Sequence, residues 1–184
     1  MPTFGRLTSS MMLRVGAAVT VVVATAGLSM PAGGAPTKSI RTMGTEDVHI
    51  NSKIFSDLRF SPGNANVKSG DVLTLTHADK TEEPHTLTIV DQGELPSDVD
   101  GVFGCGEPGT ICDDVFSTVA PQIVDDTAAQ FVNVSGGPGL DGRLDTLWLP
   151  DDTSISVPVT AAPGTTLSYF CAIHAWMQGS IKVG

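Results

Sequence analysis

Short runs in which apolar residues alternate with Thr, Ser or Lys recur along the chain, over 47–55, 71–77, 86–91, 153–160, 165–171 and 180–183. A period of two over four to eight residues is the pattern of a strand with one buried face. Clusters of Gly, Pro, Asn and Asp separate these runs, at Ser61-Pro62-Gly63-Asn64, Lys68-Ser69-Gly70-Asp71 and Ala162-Pro163-Gly164, where such residues end strands and make turns. Beyond the N-terminal region no stretch sustains a helical period, so the pattern predicts an all-β fold, a Greek-key β-sandwich of mixed strands. Residues 36–46, rich in Thr, Gly and Pro, read as a flexible leader.

Two stretches depart from this pattern. Arg6 and Arg14 precede an apolar run from Val15 to Leu28, and no acidic residue occurs before Glu46. Residues 1–35 therefore read as a secretory signal peptide, cleaved after Ala26 or nearer Ala35. A retained anchor is the competing reading, although the run is short for a membrane span and has no stop-transfer flank. The second departure is a long segment, about 92–145. Its first half, Gly93 to Asp114, is acidic, and its second half carries Val119, Ile123, Val124, Phe131 and Val134. It has room for a short helix. Two roles are open for it, a lid that shields a site or docks a partner, and a structural elaboration packed on one sheet.

Composition narrows the function. Removing Arg6 and Arg14 from the ten basic residues leaves eight against 20 acidic ones, a formal charge of −12, which disfavours nucleic acid as a partner. Acidic charge of this size either solvates the surface or steers the chain toward a basic protein. The sequence offers no Ser/His/Asp set, no phosphate loop and no CxxC, so no enzymatic activity is expected. Three cysteines outside the cytoplasm leave one over after pairing. Cys105 and Cys112 flank a Gly/Pro-rich turn and are the natural disulfide pair in an oxidising compartment; a pairing of Cys171 with either of them is the alternative.

The chemistry concentrates near the C-terminus. Tyr169-Phe170-Cys171-Ala172-Ile173-His174-Ala175-Trp176-Met177 puts a thiolate, an imidazole and a thioether within seven residues. Soft sulfur with imidazole selects copper over harder cations, and a trigonal set of two His and one Cys with a weak axial Met is an electron-transfer site. The second histidine is best supplied by His85, in Glu83-Pro84-His85-Thr86-Leu87-Thr88-Ile89-Val90, where a turn opens an alternating strand. His49 and His77 read as ordinary surface or half-buried histidines on strands. Met11, Met12, Met30 and Met43 do not form a methionine tract. Trp176 either shields the loop, presents an aromatic surface or simply stiffens it, and Glu82 and Glu83 are an acidic rim or solvated turn residues.

With these residues in hand, the chain resembles the cupredoxins over nearly the whole mature region. Val48-His49-Ile50 through Phe60-Ser61-Pro62, Val67 to Leu75 and the Pro84-His85 element look like the first strands of a plastocyanin or azurin type domain. Ala162 to Cys171 resembles the strand that delivers the cysteine, and Gly179-Ser180-Ile181-Lys182-Val183 the final strand. The resemblance implies one type 1 copper per chain held by His85, Cys171, His174 and Met177, in a short loop like that of amicyanin. It also implies an electron carrier outside the cytoplasm, a monomer, that passes electrons to a redox protein docking near His174. Storage or delivery of copper would use the same ligands and is the alternative. Three departures stand out: Ile173 where amicyanin-like loops usually have Pro, Thr86 where many members have Asn, and 85 residues between His85 and Cys171.

Overall fold

The computed structural model describes residues 36–184; the expected signal peptide, with Met11, Met12 and Met30, lies outside them. In chain order the strands are β1 (Thr37–Met43), β2 (Glu46–His49), β3 (Lys53–Ser56), β4 (Arg59–Ser61), β5 (Asn64–Val67), β6 (Val72–Thr76) and β7 (His85–Val90). Helices α1 (Val99–Phe103) and α2 (Ile111–Thr118) follow, then β8 (Gln130–Val132), β9 (Thr146–Leu149), β10 (Ser154–Pro158), β11 (Thr166–Phe170) and β12 (Gln178–Val183). Two sheets form the sandwich, one ordered β10-β6-β1-β4 and the other β5-β12-β11-β7-β9-β8. The strands are mixed, since β1 pairs in parallel with β6, and β12 with β5.

The alternating pattern becomes burial. In β6, Leu73 and Leu75 point inward between half-buried Val72, Thr74 and Thr76. They meet Leu87, Leu147, Leu167 and Ile181 from the facing sheet in one core. Burying a side chain of this size is worth about 1.5–3 kcal/mol, so a one-residue slip of any such strand is strongly opposed.

Two expectations need correction. Residues 36–46 are not a flexible leader, because Thr37–Met43 is a strand lying between β6 and β4. Ile40 and Thr42 are fully buried there, and the backbone pairing and the core contact of Ile40 outweigh the turn-like composition. The run 47–55 is not one strand of the sandwich. It folds back at Asn51, which has a positive φ of 57°, to make the separate β2–β3 hairpin. Val48, Ile50, Ile54 and Phe55 stay exposed on it.

The long segment builds a second core. All six residues of β7 are buried, because β7 is covered on both faces. Leu87 and Ile89 face the sandwich, while Val90 packs with Phe170, Ala172, Cys105, Cys112, Val115 and Val119. Helix α2 thus lies on the outer face of the six-stranded sheet, stapled by the Cys105–Cys112 disulfide, and β8 extends that sheet beyond β9. The fully buried carboxylate of Asp145 ties down the end of the segment. It accepts bonds from the backbone N–H groups of Val134, Ser135, Asp141 and Gly142 and from the Ser135 hydroxyl. On the surface, Arg143 bridges Glu94 and Asp114.

One glycine is set by close approach. Gly179 on β12 sits opposite Tyr169, and a Cβ there would run into the Gly63 carbonyl and the Tyr169 ring, whose hydroxyl donates to that same carbonyl at 2.9 Å. Gly179→Ala should cost about 1–3 kcal/mol by overpacking, read as a lower urea midpoint with an unchanged slope. Asp145→Ala should cost about 3 kcal/mol, because several buried donors lose a charged acceptor at once, and the same denaturation curve measures it.

Candidate metal centre

His85 opens β7, and Cys171 follows immediately on β11; the two strands are antiparallel neighbours. Both side chains point into the sandwich, at the end of the core. The chain then turns tightly, with Met177 N donating to His174 O at 2.8 Å and Cys171 N to Met177 O at 2.9 Å. That turn brings His174 back over Cys171.

Three donor atoms converge. Cys171 Sγ is 3.8 Å from His85 Nδ1 and 3.7 Å from His174 Nδ1, and the two nitrogens are 3.2 Å apart. One short edge between imidazoles and two longer, nearly equal edges to sulfur outline a trigonal set of two nitrogens and one sulfur. Cys171 and His85 are fully buried, His174 is 3% exposed, and Met177 is 1% exposed in the same core cluster as Cys171. Cys171 is the chain's free cysteine, so the alternative disulfide pairings do not occur.

The environment favours the ligating form of the sulfur and a protonated His174, whose proton an incoming metal ion has to displace. Burial works to raise the Cys171 thiol, yet hydrogen bonds and charge from His174 and His85 bring it down to about 6, so the thiolate is the favoured form at neutral pH. Burial likewise opposes the charged form of His174, but Cys171 and then Glu83 carry it up to about 8. Thr86, one of the departures from the cupredoxin pattern, ties strand to loop. Its N–H points at Cys171 Sγ at 3.4 Å, and its hydroxyl accepts from Ala172 N at 2.9 Å. Trp176 packs edge-on against His174, with ring centroids 5.3 Å apart, and is 40% exposed.

The outer nitrogens of both imidazoles face carboxylates. His174 Nε2 is 2.8 Å from Glu83 Oε2, and His85 Nε2 is 2.9 Å from Asp79 Oδ2. Glu83 is therefore more than a solvated turn residue. Asp79 was not singled out by the sequence, although His77-Ala78-Asp79 and Glu83-Pro84-His85 flank one turn and set two acids beside two histidines. Burial would raise Asp79, but the hydroxyls of Thr42 and Thr81 and the charge of His85 hold it down to about 2.

His77 also needs correction. It is neither a surface nor a half-buried histidine on a strand but a buried one just past β6, 7% exposed, with Nδ1 3.3 Å from Asp151 Oδ1 and Nε2 3.1 Å from the Glu83 carbonyl. His49 stays on the exposed hairpin beside Asp47.

The donor chemistry fits one copper ion per chain: thiolate, two imidazoles and an adjacent buried thioether suit copper rather than hard cations. Among the described residues no helix is long and apolar enough to cross a membrane.

No protein-family model matches the chain, and no curated protein matches it. Similar solved structures include a purple cupredoxin from Nitrosopumilus maritimus, 15% identical with a TM-score of 0.39, covering 79% of this chain and 98% of that one. A reduced auracyanin from Roseiflexus castenholzii is 14% identical with a TM-score of 0.41, covering 83% and 99%. Auracyanin A from Chloroflexus aurantiacus, titled a "blue" copper protein, is 16% identical with a TM-score of 0.42, covering 80% and 99%. The chain itself combines a two-sheet sandwich of mixed strands with a donor triangle at the end of its core.

Proposed function

We propose that the protein is a type 1 copper electron carrier that works outside the cytoplasm, in which His85, Cys171 and His174 would be the strong ligands and Met177 a weaker one. The observation that carries this reading is the buried triangle of Cys171 Sγ and two Nδ1 atoms. Bound there, copper supplies a one-electron couple, with Cu(I) favoured by sulfur and Cu(II) tolerated by imidazole. The residues do the rest. The antiparallel pairing of β7 and β11 and the closed turn 171–177 fix the donors, so little rearrangement accompanies a change of charge. Burial excludes water from the sulfur.

The same burial bears on the alternative. Handing copper to a partner or chelator requires ligands that can be reached one at a time, and here all four are 3% exposed or less. That supports a carrier of electrons over a carrier of metal. A basic redox protein is the partner that the formal charge of −12, without Arg6 and Arg14, suits, docking where Trp176 and Glu83 cover His174. The chain acts as a monomer, after removal of residues 1–35 as a signal peptide.

Adding one equivalent of Cu(II) should give an intense visible thiolate-to-copper band and a narrow copper hyperfine splitting. Cys171→Ser should abolish both, and a blue variant would overturn the assignment. A pale, tetragonal signal from the wild type would instead favour storage or delivery. Met177→Leu should keep the metal and raise the reduction potential, measured by protein-film voltammetry; an unchanged potential removes Met177 from the ligand set.

A further inference from the structure

The inner nitrogen of His85 faces Cys171, and its outer nitrogen lies 2.9 Å from Asp79 Oδ2. Both side chains are fully shielded from solvent. Neither Asp79 Oδ2 nor His85 Nε2 has an aligned hydrogen-bond partner, so a buried carboxylate oxygen and a buried ring nitrogen have chiefly one another. Leaving such a pair unmatched is costly.

Asp79 is itself held in place. Thr81 donates to its other oxygen twice, from N at 3.0 Å and from Oγ1 at 2.6 Å. The preceding residue, Ala78, is tied to Thr42 on β1 at 3.1 Å. His77, anchored by Asp151 and the Glu83 carbonyl, stands 3.8 Å behind Oδ2. This support leaves Oδ2 aimed at the ring.

We propose that Asp79 is the positioning residue of His85, keeping the ring proton on Nε2 and so freeing the Nδ1 lone pair for copper, while its charge favours Cu(II) over Cu(I). The inference rests on the copper reading above. A neutral imidazole carries one ring proton, and a carboxylate acceptor at one nitrogen draws the proton there. The other nitrogen is then the metal-binding one, and it is the one that faces Cys171 and His174. The carboxylate also makes the imidazole a stronger donor, which stabilises the more highly charged metal.

A rival use of these residues is a second cation, because donor atoms of His77, Asp79 and His85 all lie within 4.8 Å of one another. That site would need His85 Nε2 stripped of its proton and His77 Nε2 released from the Glu83 carbonyl. The positioning role needs neither.

The test compares copper-loaded wild type, Asp79→Asn and Asp47→Asn, the last removing one charge on the exposed hairpin. Asp79→Asn should stay blue, lose about tenfold to a hundredfold in Cu(II) affinity relative to Cu(I), and so rise in potential by about 60–120 mV; Asp47→Asn should not move it. In the Cu(I) wild type, nitrogen-15 NMR should find a slowly exchanging, downfield proton on His85 Nε2, a readout that stands even if Asp79→Asn fails to fold. An unmoved potential in a folded Asp79→Asn, or the absence of that proton, overturns the inference. So does a second bound metal ion that is lost in His77→Ala. A wild type without the thiolate band overturns the copper reading and this inference with it, whereas a blue wild type with an indifferent Asp79→Asn overturns this inference alone.

Discussion

The pairing of β7 with β11 is the constraint on which the site depends. It sets Ser168 beside Val90 and Phe170 beside Thr88, and so brings the end of one strand, Cys171, against the start of the other, His85. Shifting that register by one residue would turn His85, Leu87 and Ile89 out of the sandwich and put Thr86, Thr88 and Val90 in their place. Two apolar faces resist the slip, since β7 has a core on each side. The rigidity of the donor triangle is thus inherited from hydrophobic burial in the middle of the sheet and owes little to the polar contacts around the sulfur.

The second core gives the long segment a structural role of its own. Helix α2, the disulfide and β8 cover the face of the six-stranded sheet that carries Phe170 and Ala172. They thereby bury the back of the strand whose other face presents Cys171. The segment does more than decorate the fold: the residues flanking Cys171 are packed from both sides, and the 171–177 loop starts from a strand that has little freedom to shift. Arg143, Asp145 and the disulfide hold the segment at separate points, which suits a covering layer more than a lid that opens.

What the sequence made legible follows from how each feature is encoded. The period of two in β6, β10 and the end of β12 is a local signal and matches their burial, whereas β7 and β11 are covered on both faces; the Cys171-to-Met177 spacing is likewise a local constellation, so these could be read directly. Strand β1 could not, because Thr37-Lys38-Ser39 looks solvated and only the parallel neighbour β6 makes Ile40 and Thr42 interior. The hairpin misled in the opposite sense: Val48, Ile50, Ile54 and Phe55 carry the apolar content of a core strand yet remain at the surface. Asp79 and His77 escaped because their meaning lies in a turn that folds back on His85. Nothing in a linear spacing shows that an aspartate six residues before a histidine will sit behind its ring.

That turn also determines what covers His174. His174 is 3% exposed and its outer nitrogen meets Glu83. The atoms beyond it that do meet solvent are the Glu83 carboxylate, 56% exposed as a side chain, and the Trp176 ring, packed edge-on against the imidazole. The imidazole edge therefore lies under an acidic cover and beside an aromatic one rather than bare at the surface. Under the proposed carrier function, a partner's cationic side chain would pair with Glu83 while its apolar surface rests on Trp176, so the cover that keeps water from His174 would also supply the contact that selects who approaches it.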